Sequence, residues 1–367
     1  MNKVAIVDYA TTKFRKITDK SIYELACEPS IEVLQSSKLS ASTIDGVLFS
    51  SCSYDLYGGP IASEMLGINP RITCRIDNLC NSGTVAISTA YSYISSGLCD
   101  SVLVVGAELY DSPGIKLSWD VSRGRFTSPI YWASIFAKMH MRKYGTTEED
   151  MAAIAVKNRS LSANNPNAIF SNKPISLEDV LASRKLVDPI KLLDCSALCS
   201  GAASVLLASE DLTRNLDVQP VWIEGIGQQT NCASIAHAIP VIFENGSSKL
   251  AAEYAYNMAK MEPADIQVAE IHDAFTIMEI MACEDLGFAR TGKGPYYALD
   301  GNIAINPRGG ILGSGHPIGA TGVAQVCEIV SQLRHEAGKR QAGSCNVGLV
   351  HNLAAAGTSA TVIILRS

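Results

Sequence analysis

The stretch STIDGVLFSS at residues 42–51 has a counterpart in ADIQVAEIHD at 264–273, each a polar lead-in, an isoleucine and a strand that ends in polar residues. The helical run from Thr84, followed after CD by SVLVVGAEL, is matched in the same way by GVAQVCEIVSQLRHEAG and then NVGLVHNLA at 346–354. A chain that repeats a cassette in both halves is confined to a duplicated architecture, because each copy must bury its own apolar strands. Short β-branched runs such as VAIVDYA at 4, DGVLFSS at 45 and SVLVVGAEL at 101 alternate with longer helical stretches, the pattern of an α/β protein with mixed or parallel sheets. Between the copies, SANNPNAIF and SNKPIS mark a helical insertion rich in turn formers. The expected organisation is therefore a first half over 1–114 and 201–240, an inserted loop domain over 115–200, and a second half over 241–367.

The chain has 367 residues, 47% hydrophobic and 18% charged, enough for a large buried core. A net charge of −6 gives a nucleic-acid partner no electrostatic support. The charge is uneven: residues 116–200 hold twelve Lys or Arg against eight Asp or Glu. Such a segment is either a solvated helical surface or a receptor for an anionic ligand such as a phosphorylated cofactor. Eleven cysteines are scattered singly, without a CxxC pair or zinc spacing, and read as reduced thiols. MNKVAIVDYA enters a strand without the features of a signal peptide, and no apolar run has the length of a membrane span. The expected location is the cytoplasm.

In open α/β sheets, chemistry collects beyond the carboxyl ends of strands. Four polar stretches fall there: NLCNSG at 78, EIHDAF at 270, GSGHPIGATG at 313 and HNLAAAGT at 351. Cys80 lies just before a helix, where the dipole lowers a thiol pKa and favours the thiolate, and where its own N–H can meet a developing oxyanion. The competing reading is a small buried hydrophobe. His316, fixed between Gly315 and Pro317, is placed to take a thiol proton. The same glycines suggest a phosphate cradle, but neither GxGxxG nor GxxxxGK[ST] is present. Three of the six histidines, His272, His316 and His351, lie in these loops. With Asp273 they could ligate zinc, a reading that leaves Cys80 and two glycine-rich loops idle, so no metal is expected.

NLCNSG, HDAF, GGILGSGHPIGATG, QLRHEAGKRQ and HNL, in this order, resemble the thiolase family, and within it the sterol-carrier-protein-type thiolases and their archaeal relatives. The likeness runs from the first strand to VIIL at 362–365. It implies a duplicated five-layered αβαβα fold with an inserted helical loop domain, and a homodimer or homotetramer. It implies CoA thioesters as substrates with no further cofactor, and a ping-pong acyl transfer, most simply two acetyl-CoA interconverting with acetoacetyl-CoA plus CoA. Longer 3-oxoacyl-CoA substrates, or a non-catalytic acyl-CoA- or lipid-binding scaffold, are the alternatives. By resemblance Cys80 is the nucleophile, His316 its base, and His272 an oxyanion partner, with Asn78, Gly315 and Gly357 supporting the loops and the oxyanion hole. The two thiols that relatives use as second acid/base are absent: their positions hold His351 and Ala274. His351 is therefore expected in that role. Ala354, Ala355 and Ala356 stand where relatives carry a glycine-rich loop. Arg184 and Lys185 are candidates for CoA contacts. Archaeal relatives add the expectation of a small zinc-ribbon/OB-fold partner protein and a downstream CoA synthase.

Overall fold

The computed structural model describes residues 2–53, 56–111, 126, 128–231, 233–238, 246–355 and 357–367. The first part of the chain runs β1 (Val4–Thr11), α1 (Ile22–Ser36), β2 (Gly46–Ser50), α2 (Gly58–Met65), β3 (Ile72–Ile76), α3 (Ser82–Ser95) and β4 (Ser101–Glu108). The insertion supplies α4 (Ile130–Tyr144), α5 (Glu148–Ser162), α6 (Leu177–Ala182) and a hairpin, β5 (Lys185–Val187) with β6 (Ile190–Lys191). Residues 115–125 and 127 of the expected loop domain, with four of its charged residues, lie outside the described residues. Then follow β7 (Gly201–Ser209), α7 (Glu210–Thr213), β8 (Val221–Thr230), α8 (Ile235–Ala238), α9 (Ser247–Ala259) and β9 (Val268–Glu270). The chain closes with α10 (Thr276–Asp285), α11 (Gly294–Asp300), β10 (Ala304–Ile305), α12 (Gly310–Ser314), α13 (Ile318–Leu333), β11 (Val347–Ala354) and β12 (Ser359–Arg366).

Ten strands form one sheet in the order β10-β9-β11-β12-β8-β1-β7-β4-β2-β3. From the central antiparallel β1–β8 pair outward, the two arms match strand for strand: β7 and β12 antiparallel, β4 and β11 antiparallel, then β2 and β9, β3 and β10 parallel. The cassettes recognised in the sequence are β2 with β9, and α3–β4 with α13–β11. The boundary at 240 needs correction, because β8 pairs with β12 along its length and is the second half's equivalent of β1. The halves therefore divide between Thr213 and Val221.

Helices sit in three layers around the two arms. α1 and α2 cover the outer face of the first arm and α9 that of the second, with α10 in the same apolar core. Between the arms lie α3 and α13, packed against each other and against strands of both halves. All sixteen residues of α13 are buried, as expected for a helix that is apolar nearly all round and enclosed by two sheets. The two helices meet at their first turns through Gly83 and Gly322: a Cβ on Gly83 would lie 2.7 Å from Val323 N, and one on Gly322 2.7 Å from Thr84 N. The insertion packs α5 on α12 and α4 on α10, over the same end of the second half. Among the described residues no helix is long and apolar enough to cross a membrane.

Candidate active site

The duplication brings Cys80 and His316 together, since each lies two residues before one of the crossed helices α3 and α13. Cys80 sits in a tight turn whose preceding residue, Leu79, has φ +49°, a left-handed conformation that strains a branched side chain by about 1–2 kcal/mol. The polar neighbours hold that turn. Ser82 Oγ accepts from Asn78 N at 2.7 Å and donates to Leu79 O at 2.6 Å. Asn78 Nδ2 reaches Ser359 Oγ at 3.1 Å and Asn81 Nδ2 reaches Thr361 Oγ1 at 3.1 Å, both on β12. The asparagines around Cys80 thus act as ties between halves.

His316 is aimed by Gly315, whose φ of +101° suits glycine alone and whose added Cβ would lie 2.7 Å from Cys199 Sγ. His316 N donates to Ala197 O at 2.8 Å. Its Nε2 lies 3.2 Å from Cys80 Sγ, and its Nδ1 lies 2.8 Å from Thr321 Oγ1. The Thr321 hydroxyl directs its proton to Pro317 O, 3.3 Å away, so it accepts from Nδ1–H. Nε2 is left as the acceptor facing the thiol. Burial dominates the electrostatics: it pushes the Cys80 thiol up to about 12, and burial with the Arg308 charge holds His316 down to about 3. The lowered thiol pKa expected from the helix terminus is overturned, because enclosure of Sγ outweighs the dipole.

His272 follows β9, with its ring 5.6 Å from that of His316 and nearly perpendicular at 76°. One donor atom from each of Cys80, His272 and His316 lies within 4.8 Å of the others, the one such group among the described residues that could hold a metal. His272 is held well below its ordinary value, first by burial and then by the two neighbouring histidines. Its Nδ1 is buried, and the side chain within hydrogen-bonding reach of the ring is that of Asn352. Asp273 does not join the cluster. It accepts from Ile311 N at 2.6 Å, Leu312 N at 3.2 Å and Asn158 Nδ2 at 2.7 Å, and so clamps the His272 loop to the helix that ends at Gly315.

His351 is not a loop residue. It lies inside β11, opposite Val362, fully buried and off the cavity wall. Its Nε2 meets Ser248 Oγ at 2.9 Å and its Nδ1 accepts from His272 N at 3.4 Å. Its contacts are with the His272 backbone and with Ser248, behind the described lining of the cavity. Gly357 has φ +73° and donates its N–H to Ala354 O at 3.1 Å, so that N–H is not free for an oxyanion, while its carbonyl accepts from Ser247 at 2.6 Å. Ala355 takes φ +55°, and Ala356 lies outside the described residues. Arg184 and Lys185 are exposed and do not line the cavity; Lys185 Nζ pairs with Asp188 at 2.8 Å.

Cys80, His272 and His316 open onto a cavity of about 630 Å³. Its walls come from the insertion and the second half, notably Ile130, Trp132, Phe136, Leu186, Phe275 and Met278, and among the described residues they hold no Asp, Glu, Lys or Arg. Thr321, Ser248 and the clamp built on Asp273 are the functional groups that the sequence did not reveal. They act through other residues, and no local motif announces such a role.

Residues 4–211 match the family described as "Thiolase, N-terminal domain", and residues 227–367 match "Thiolase C-terminal domain-like". An "Acetyl-CoA acetyltransferase" of Methanothermobacter thermautotrophicus is 33% identical over 99% of both chains. "Sterol carrier protein 2" of Bos taurus is 32% identical over 97% of this chain and 71% of that protein. Among solved structures, "Ltp2-ChsH2(DUF35) aldolase" superposes at TM-score 0.88 with 24% identity, covering 100% of this chain and 98% of that one. "Crystal structure of human mitochondrial 3-ketoacyl-CoA thiolase in complex with CoA" superposes at 0.79 with 17% identity, again over 100% and 98%. At those identities the two structures bear on the fold alone.

Proposed function

The chain belongs to the thiolase family, and from that premise we propose that it carries acyl groups between CoA thioesters through an acyl-enzyme on Cys80, in the simplest case interconverting two acetyl-CoA with acetoacetyl-CoA plus CoA. The observation that carries the reading is the 3.2 Å contact between Cys80 Sγ and the unprotonated Nε2 of His316 at the cavity floor. As Sγ attacks the thioester carbonyl, its proton passes to His316 Nε2, and the departing CoA sulfur takes that proton away. The Cys80 N–H receives the oxyanion. A second acyl-CoA must then lose an α-proton before its carbanion displaces Sγ.

We assign that proton to His272, whose ring lines the cavity beside Cys80 and is neutral near pH 7. His351 and Ser248 hold it in place from behind. The assignment replaces the one drawn from sequence, where His351 filled the role. The test is deuterium exchange at the α-carbon together with Cys80 acylation. His272→Ala should keep acylation but lose exchange and turnover by about 10²–10⁴-fold, whereas His351→Ala should lose far less. A collapse with His351→Ala and near-normal exchange in His272→Ala would reverse the roles.

The cavity favours a second reading of the substrate. A chamber of about 630 Å³ whose described walls carry no charge accommodates acyl groups much longer than acetyl. CoA release from acetyl-CoA and from a series of 3-oxoacyl-CoAs, on wild type and Cys80→Ala, separates the two. The printed name of one structural neighbour pairs it with a DUF35 chain. A small partner of that kind, with a homodimeric or homotetrameric core, is proposed here and is checked by pulldown and light scattering.

A further inference from the structure

We infer that Cys80, His272 and His316 also form a reversible inhibitory site for a thiophilic divalent cation, zinc(II) fitting best. Tetrahedral zinc, with Zn–S of about 2.3 Å and Zn–N of about 2.0–2.1 Å, holds its sulfur and nitrogen ligands roughly 3.5 Å apart. Cys80 Sγ and His316 Nε2 already stand at 3.2 Å, and the His272 nitrogen within 4.8 Å of both. Closing the set needs a movement of roughly an ångström by the His272 ring.

Three further features suit a cation. Thr321 keeps the His316 proton on Nδ1, so the Nε2 lone pair points at the thiol, as in a metal-bound imidazole whose other nitrogen donates to a neighbouring acceptor. On His272, Nδ1 is buried and makes no bond of full geometry, and the side chain within hydrogen-bonding reach of the ring is that of Asn352, whose Oδ1 is likewise buried and unbonded. A small rotation joins those two atoms and fixes Nε2 as the ligand. The buried Glu108 carboxylate adds a negative field at Cys80. One sulfur and two imidazoles select zinc over magnesium or calcium, and water from the cavity fills the fourth position. Binding replaces the thiol proton, which leaves to solvent, so no oxidant or reductant enters. The metal takes no part in the reaction: it occupies the nucleophile and its base together. Inhibition rests on the acyl-enzyme reading, whereas binding does not.

The test uses the full chain, with cobalt(II) as a spectroscopic probe and zinc(II) as competitor. Cobalt should bind at one equivalent with a thiolate-to-metal charge-transfer band that zinc abolishes and Cys80→Ala lacks. Zinc should slow iodoacetamide alkylation of Cys80, followed by peptide mapping, at least tenfold, with recovery on adding EDTA. His272→Ala, shown folded by thermal unfolding without metal, should bind at least tenfold more weakly. A band that survives Cys80→Ala, unprotected alkylation in wild type, or undiminished binding by His272→Ala would each overturn the proposal. A metal-protected Cys80 in a chain that turns over no thioester would leave the metal site standing and sink the acyl-transfer reading instead.

Discussion

Cys80 and His316 face each other as a neutral thiol and a neutral imidazole, since burial holds one up to about 12 and the other down to about 3. The proton therefore moves during attack, without a preformed ion pair. Neither group titrates in the working range, so the rate of Cys80 acylation should stay level between about pH 5 and 9. A tenfold rise per pH unit in a stopped-flow acylation series would instead mean that solvent makes the thiolate first. Ala355 supports a second prediction: at φ +55° an alanine is strained, and Ala355→Gly should raise stability by up to about 1 kcal/mol after the entropy of glycine is offset, read as a higher urea midpoint. Cys80 and His316 were legible in the sequence because each is framed by a local motif. The place of His351 was not, because the direction of its side chain depends on the pairing of β11 with β9 and β12, set by residues far along the chain.

At the scale of elements, the site is made by the crossing of α3 and α13. Gly83 and Gly322 lie at the contact, each with a neighbouring backbone nitrogen 2.7 Å from where a Cβ would be. Backbone cannot rotate aside as a side chain does. Gly83→Ala and Gly322→Ala should each cost about 1–3 kcal/mol, and the double variant should cost less than the sum, because the first substitution already forces the helices apart. Both should slow Cys80 acylation, since the spread moves Sγ away from Nε2. Denaturant midpoints and acylation rates on the three variants check this, and a strictly additive loss with normal acylation would place the crossing outside the site's support. The repeat of β2 and β9 was readable because strand patterns are local. The end of the first half was misplaced because β8 is a half-exposed strand, with every second residue only partly buried, and only its partner β12 reveals its allegiance.

For the molecule as a whole, the basic character of residues 116–200 was visible in the sequence, yet much of its described charge is paired with carboxylates of the same chain. Lys138 and Lys185 pair with Asp188, Lys191 with Glu148, and Lys157 with Glu279. A charge count cannot foresee such pairing. Buried titratable groups also set how global stability responds to pH, with two sets opposed. His272, His316 and His351 stay neutral in the folded chain far below their ordinary 6.5, so below that pH the unfolded chain takes up protons that the native state refuses, and stability falls. Glu270, where burial outweighs Arg308, and Asp285 are held up to about 8, and Asp273 up to about 7 by burial and then by the neighbouring Glu279. Their contribution is complete below the unfolded carboxyl values and is lost as pH rises through 7 to 8. Between about pH 4.5 and 6.5 the sets largely offset each other. Below about pH 4 the carboxyls have no more to give, and three histidines together take up to about 4 kcal/mol per pH unit. Urea midpoints should therefore peak near pH 5–6, decline gently towards 8 and fall steeply below 4. His351→Gln, which keeps a hydrogen-bonding group facing Ser248, removes one of three protons and should reduce the acid slope by about a third. A steady loss of stability from pH 8 down to 4 would mean that Glu270 and Asp285 are ionised in the native protein and that the histidines act unopposed.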